Sequence, residues 1–181
     1  MGNFYANLTV VGPDESAVIA ALGSHPAFVA PTNEKATVVF HADEEETLPS
    51  LGQELSRTLS ASVLGVTVHD DDFLGVLLWV DGDVVYETTV PDPAEYFDMP
   101  PGALTGTPSD HRHDSGVLVS ALGRGERAAV DEVLGGDYVF ATERHRALTN
   151  ALALPVTAVG WGYRYLQEDL ERFVGPPLTR T

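Results

Sequence analysis

Leu74-Gly75-Val76-Leu77-Leu78-Trp79-Val80 and Val84-Val85-Tyr86-Glu87-Thr88-Thr89-Val90, joined by Asp81-Gly82-Asp83, form the stretch whose reading decides the fold. Both runs are rich in β-branched and aromatic residues, which suit a pleated, packed surface. Gly in the connecting Asp-Gly pair accepts the positive φ of a tight turn. The stretch therefore predicts an antiparallel hairpin, one that extends a sheet supplied by the residues before it.

Immediately upstream, residues 63–68 read as a strand that ends in His69-Asp70-Asp71-Asp72. Leu48, Leu51, Leu55 and Leu59 recur at spacings of three and four, which predicts a helix over residues 48–60 with one apolar face. Residues 27–31 and 37–41 read as strands around a turn at Thr32-Asn33-Glu34-Lys35. Asp14 or Glu15 caps a helix over residues 15–22, with Val18, Ile19 and Leu22 as its apolar stripe and Gly23 closing it. Between Asn3 and Val11, Phe4, Ala6, Leu8 and Val10 alternate with Tyr5, Asn7 and Thr9, the pattern of a strand with one buried face. The order to residue 68 is β-α-β-β-α-β. The expected fold is α+β, a ferredoxin-like βαββαβ sandwich extended by the hairpin over residues 1–90.

Downstream the chain changes character. Residues 91–116 carry five of the 12 prolines and read as a Pro/Gly-rich loop. Residues 117–122 and 126–134 read as short helices broken at Gly123-Arg124-Gly125, and Tyr138-Val139-Phe140 as a short strand. Thr142 is placed to cap a helix over residues 143–152, which Pro155 ends. Residues 156–166 alternate, with Trp161, Tyr163 and Tyr165 on one side, and read as a final strand. Residues 117–181 thus make a smaller helical and β region, expected to pack on the first part as one unit.

Charge divides along the same line. The chain carries a formal charge of −17, and residues 1–100 hold 17 Asp and Glu against Lys35 and Arg57 alone, whereas residues 101–181 hold 10 acids against eight Arg. An acidic body repels nucleic acid and anionic membrane surfaces, so neither is an expected partner. A basic protein is the electrostatically favoured one. Without cysteine the chain has no thiol nucleophile, thiolate metal site or disulfide, which suits a reducing compartment. Its first residues have neither a basic nor an apolar leader segment, and its apolar runs are short, so a cytoplasmic protein is expected. The hairpin edge at residues 84–90 also allows a homodimer.

The opening Gly2-Asn3-Phe4-Tyr5-Ala6-Asn7, the run His69-Asp70-Asp71-Asp72 before a Trp-bearing hairpin, and the segment from Tyr138 to Leu148 resemble a group of hypothetical bacterial proteins. The resemblance covers most of the chain. It implies a small bacterial protein and carries no activity, cofactor or catalytic residue with it.

Several residue groups are candidates for chemistry. Adjacent carboxylates at Asp70, Asp71 and Asp72 repel one another, and a divalent cation would relieve that repulsion. His111 and His113, two apart, share a face of an extended segment, a spacing transition metals use. Joined to His69 and Asp71 they would form one metal site; as plain structure, both runs are polar turns and loops. Gly123-Arg124-Gly125-Glu126-Arg127-Ala128 matches a dinucleotide phosphate loop only if a strand precedes it. Arg144, Arg146 and Arg164 with His145 suit ion pairing to the acidic half better than one anion clamp. Asp43, Glu44, Glu45 and Glu46, with Asp70, Asp71 and Asp72, form the candidate surface for a basic partner. These acids are otherwise a solvated helix start and a turn.

The expected function is that of a non-enzymatic binding protein whose acidic half engages a cationic partner, in the manner of an immunity protein or inhibitor. No cofactor is expected under that reading. The alternatives are a metal-dependent hydrolase built on the His/Asp cluster and a small-molecule binding module.

Overall fold

Asp81 (φ 52°) and Gly82 (φ 87°) both take positive φ, the geometry of the tight hairpin turn that their pairing predicts. They join β5 (Phe73–Val80) to β6 (Asp83–Val90). The computed structural model describes residues 2–32, 34–42, 44–100 and 114–181. Upstream of the hairpin the elements run β1 (Tyr5–Val11), α1 (Glu15–Leu22), β2 (Ala27–Pro31), β3 (Ala36–His41), α2 (Glu44–Leu59) and β4 (Ser62–His69), the expected β-α-β-β-α-β order. With β7 (Thr179–Arg180), the described strands form one antiparallel sheet in the order β6-β5-β4-β1-β3-β2-β7, and the protein is α+β.

Helices cover both faces of that sheet. On one side Ala6, Leu8, Val10, Val29, Val39 and Val63 meet Val18 and Leu22 of α1 and Leu48, Leu51 and Leu55 of α2. Trp79 is buried in the same layer. A Cβ on Gly52 of α2 would lie 2.6 Å from its ring, and one on Gly65 of β4 2.8 Å from it, so the indole fills the space both glycines leave. Asp14 caps α1, its carboxylate accepting from the Ala17 amide at 2.9 Å.

The opposite face is covered by α4 (Ser115–Leu122), α5 (Arg127–Gly135), α6 (Ala141–Ala151) and α7 (Tyr163–Glu168). Leu118, Leu122, Val130, Leu148 and Leu152 pack there on Leu64, Val66, Leu74, Val76 and Leu78. Ala158 and Leu166 pack on Phe28, Ala30, Val38 and Phe40. One short helix, α3 (Pro93–Tyr96), follows β6 and is capped by Asp92.

Three expectations are corrected. β1 is buried on both faces, because Tyr5, Asn7 and Thr9 lie under the C-terminal layer. Residues 138–140 are not a strand. Residues 156–166 are not one either: Val156–Ala158 form a 3₁₀ turn and Tyr163–Glu168 a helix. Pro155 and Gly160 (φ 82°) interrupt any extended run there, so the alternation of aromatics does not reflect a strand's two faces. As residues 117–122 predict, a helix, α4, precedes Gly123-Arg124-Gly125, so the strand that a dinucleotide loop would need is not there; Gly123 (φ 65°) closes that helix.

Candidate functional site

Among the described residues, the large apolar side chains exposed to solvent are Tyr96, Phe97, Val139, Phe140, Val156, Leu170 and Val174. Tyr96 and Phe97 pack on Phe73, and Val139 and Phe140 lead into Ala141, which bonds to Asp71, so the first four flank one feature, the β4–β5 turn. That turn is the run His69-Asp70-Asp71-Asp72. His69 ends β4 and pairs across to Phe73, the first residue of β5. Asp70 (φ 52°) and Asp71 (φ 59°) occupy the left-handed region, which aspartate enters more readily than most residues. The Asp72 amide closes the turn on the His69 carbonyl at 3.1 Å.

Asp71 is fully engaged. Its Oδ1 accepts from the Thr142 amide at 2.8 Å and the Thr142 hydroxyl at 2.7 Å. Its Oδ2 accepts from Asn3 Nδ2 at 2.9 Å, and its carbonyl accepts from the Ala141 amide at 2.6 Å. Two of the N–H groups that open α6 are thus satisfied by Asp71, the Ala141 amide by its carbonyl and the Thr142 amide by its carboxylate. Thr142, expected as the cap, is the second helical residue and a donor to the cap instead. Asp70 Oδ1 accepts from the Gly2 amide at 3.2 Å. Asp72 and His69 are exposed, and the His69 ring meets Phe4 edge-on at 4.9 Å.

Of the four residues grouped as metal ligands, only His69 and Asp71 lie among the described residues. Asp71 caps a helix, His69 packs on Phe4, and His111 and His113 lie outside the described residues. No group of three or more His, Asp or Glu there could hold a metal ion.

The acidic run behaves differently. Glu44 to Glu46 form the first turn of α2, which begins directly after β3 at the same end of the sheet as the β4–β5 turn. Asp43 lies outside the described residues. β6 also ends there, and Asp92, Glu95 and Asp98 follow it, a third acidic segment that sequence reasoning missed. Amid these acids Phe73, Tyr96 and Phe97 form an aromatic trio, with ring centroids 4.9 Å apart for Phe73–Tyr96, 5.7 Å for Phe73–Phe97 and 5.1 Å for Tyr96–Phe97. Tyr96 is 51% and Phe97 60% exposed, although each carries enough apolar surface to favour burial. The run Glu95-Tyr96-Phe97-Asp98 held the signal. Its meaning needed the knowledge that β6 ends beside the β4–β5 turn.

Beneath this end runs a buried polar seam. The Tyr5 hydroxyl and His145 Nδ1 are 2.9 Å apart. Burial, seconded by the Arg146 charge, pushes His145 down to about 3, so its ring is neutral. Burial pushes the Tyr5 phenol up to about 12, against opposing hydrogen bonds from the Gly160 backbone and the Thr142 side chain. Asn7 donates to the carbonyls of Ala158 at 2.7 Å and Trp161 at 3.0 Å, and the Phe4 amide donates to the Tyr165 hydroxyl at 3.0 Å. Arg144 donates to the Gly136 carbonyl at 2.7 Å and lies over the Tyr138 ring instead of reaching the acidic half. These groups fasten the C-terminal layer to the sheet, and His145, 2% exposed, is closed off from a dissolved substrate.

At the surface this end presents aromatic faces and carboxylates, both of which attract cations. No described helix is long and apolar enough to cross a membrane. No protein-family model, curated protein or solved structure matches the chain.

Proposed function

We propose that this is a cytoplasmic, non-enzymatic binding protein whose acidic end engages a basic protein, as an immunity protein or inhibitor does. One observation carries the reading: Tyr96 and Phe97 stand exposed among Asp72, Asp92, Glu95 and Asp98 at the end of the sheet where α2 also begins. Clustered aromatics are the usual energetic centre of a protein interface, and a polar rim surrounds such a centre. A rim of one sign selects partners of the other and speeds their encounter. Arginine suits both parts, stacking on aromatic rings and pairing with carboxylates.

The surface residues proposed are narrower than the acidic runs alone. Asp72 and Glu46 stay in the partner-binding set, while Asp71 is assigned to the fold. The test uses immobilised protein, an extract and a salt gradient. Retained proteins should be basic, should elute as salt rises, and should be lost on Asp72→Asn and on Phe97→Ala. Retention that ignores salt, or that survives both substitutions, overturns the proposal.

A further inference from the structure

Burial is inverted where α5 gives way to α6. Arg144, whose charge favours water, is 7% exposed, whereas Val139 is 78% and Phe140 49% exposed. Folding alone favours the opposite arrangement, because enclosing a guanidinium costs free energy and enclosing apolar side chains releases it. The guanidinium is only partly satisfied where it lies. It donates to the Gly136 carbonyl at 2.7 Å and sits 5.2 Å from the centre of the Tyr138 ring, while its Nε has no acceptor among the described residues. These contacts fix the loop that carries Val139 and Phe140. Arg144 holds Gly136 and Tyr138 on one side of the pair, and on the other the Phe140 carbonyl accepts from the amides of Glu143 at 3.1 Å and Arg144 at 3.2 Å. A polarity rule broken twice within residues 139–144 is expected where a surface serves binding as well as folding.

Position and charge identify the occupant. Asp71 bonds to Ala141 and Thr142, which follow Phe140, and Phe73 packs on Tyr96 and Phe97. Asp72, exposed, lies between Asp71 and Phe73 in the turn, so a carboxylate separates two apolar groups. Asp137 and Glu143, both exposed, border the second group as Asp92, Glu95 and Asp98 border the first, and Arg146 is the one exposed base on α6. We infer that Val139 and Phe140 are a second contact for the basic partner, which sets an Arg or Lys against Asp72 and apolar side chains to either side of it, on Phe97 and on Phe140. Arg144 is the positioning residue that holds this second contact outward. A second copy of the chain would meet the apolar groups but bring one charge of −17 against another. The inference rests on the cationic-partner reading and adds a second contact and its brace.

The probe is a capped Leu-Arg-Leu peptide, followed through the amide NMR signals of the full chain. Saturable shifts are expected at Asp72, Tyr96, Phe97, Val139 and Phe140. Citrulline in place of Arg keeps the shape without the charge and should weaken binding about threefold, the effect of one exposed ion pair. Val139→Ser should also weaken binding about threefold while leaving the thermal midpoint in place, since an exposed side chain contributes little to stability. Arg144→Met fills similar space without the charge; it should keep the midpoint and the shifts at Asp72 and Phe97 yet lose those at Val139 and Phe140. Shifts confined to Asp72, Tyr96 and Phe97, with affinity indifferent to Val139→Ser, overturn the second contact and leave the cationic-partner reading standing. Shifts at Val139 and Phe140 that survive Arg144→Met overturn the brace. Arg and citrulline peptides that bind alike, or no shift with either, overturn both readings. Shifts at Val139 and Phe140 that grow with protein concentration and need no peptide overturn the inference in favour of self-association.

Discussion

Asp71 shows how one side chain can serve two elements. It sits in left-handed backbone at the β4–β5 turn while its carboxylate caps α6. Asp71→Asn keeps the backbone preference and an acceptor oxygen but loses the charge at the helix start, an expected loss of about 0.5–1 kcal/mol. Asp71→Ala loses the cap and meets the left-handed penalty, about 2 kcal/mol together. Denaturant unfolding with and without chelator measures both; a loss that vanishes in chelator would reassign Asp71 to a metal. His145 sets a pH dependence. The unfolded ring titrates near 6.5 and the folded one at about 3, so between those values the unfolded state binds more protons. Stability attributable to His145 is therefore complete above about pH 6.5 and is lost as pH falls towards 3, by at most about 1.4 kcal/mol per pH unit. Unfolding of His145→Gln should lack that component, and parallel pH profiles for the two proteins would remove His145 from the account.

Elements meet closely where the Trp79 ring lies between α2 and β4. Gly52→Ala raises helix propensity by about 1 kcal/mol, which on an exposed helix would stabilise the protein. Here the new methyl would stand 2.6 Å from the indole, and overpacking costs about 1–3 kcal/mol, so the net effect is expected to be destabilising. A raised thermal midpoint for Gly52→Ala would show that the indole moves aside freely. At this scale much was legible. The Asp-Gly hairpin, the capped α1 and the leucine stripe of α2 are local signals, and each appears where its pattern predicts. α2 begins earlier than its leucines suggest, taking the acidic run as its first turn. Residues 156–166 misled because an aromatic alternation marks a strand only if the backbone can extend, and Gly160 turns it instead.

The whole molecule is a strongly charged body, at −17, held together against its own repulsion. Raising ionic strength from about 0.01 to about 0.1 M shortens the screening length from about 30 Å to about 10 Å, and the unfolding midpoint should rise over that range. A midpoint indifferent to salt would mean that the acids are locally compensated. Composition and periodicity by themselves determined the α+β class, the order of the first six elements and the sign of the charge, because each depends on neighbours along the chain. Only the tertiary structure decided that Tyr5 and Asn7 are covered, that Asp71 caps a helix 71 residues away, and that Asp72, Asp92 and Tyr96 share one surface. Those facts depend on which strand ends come together. That is settled by the packing of two helical layers on one sheet, and no local pattern encodes it.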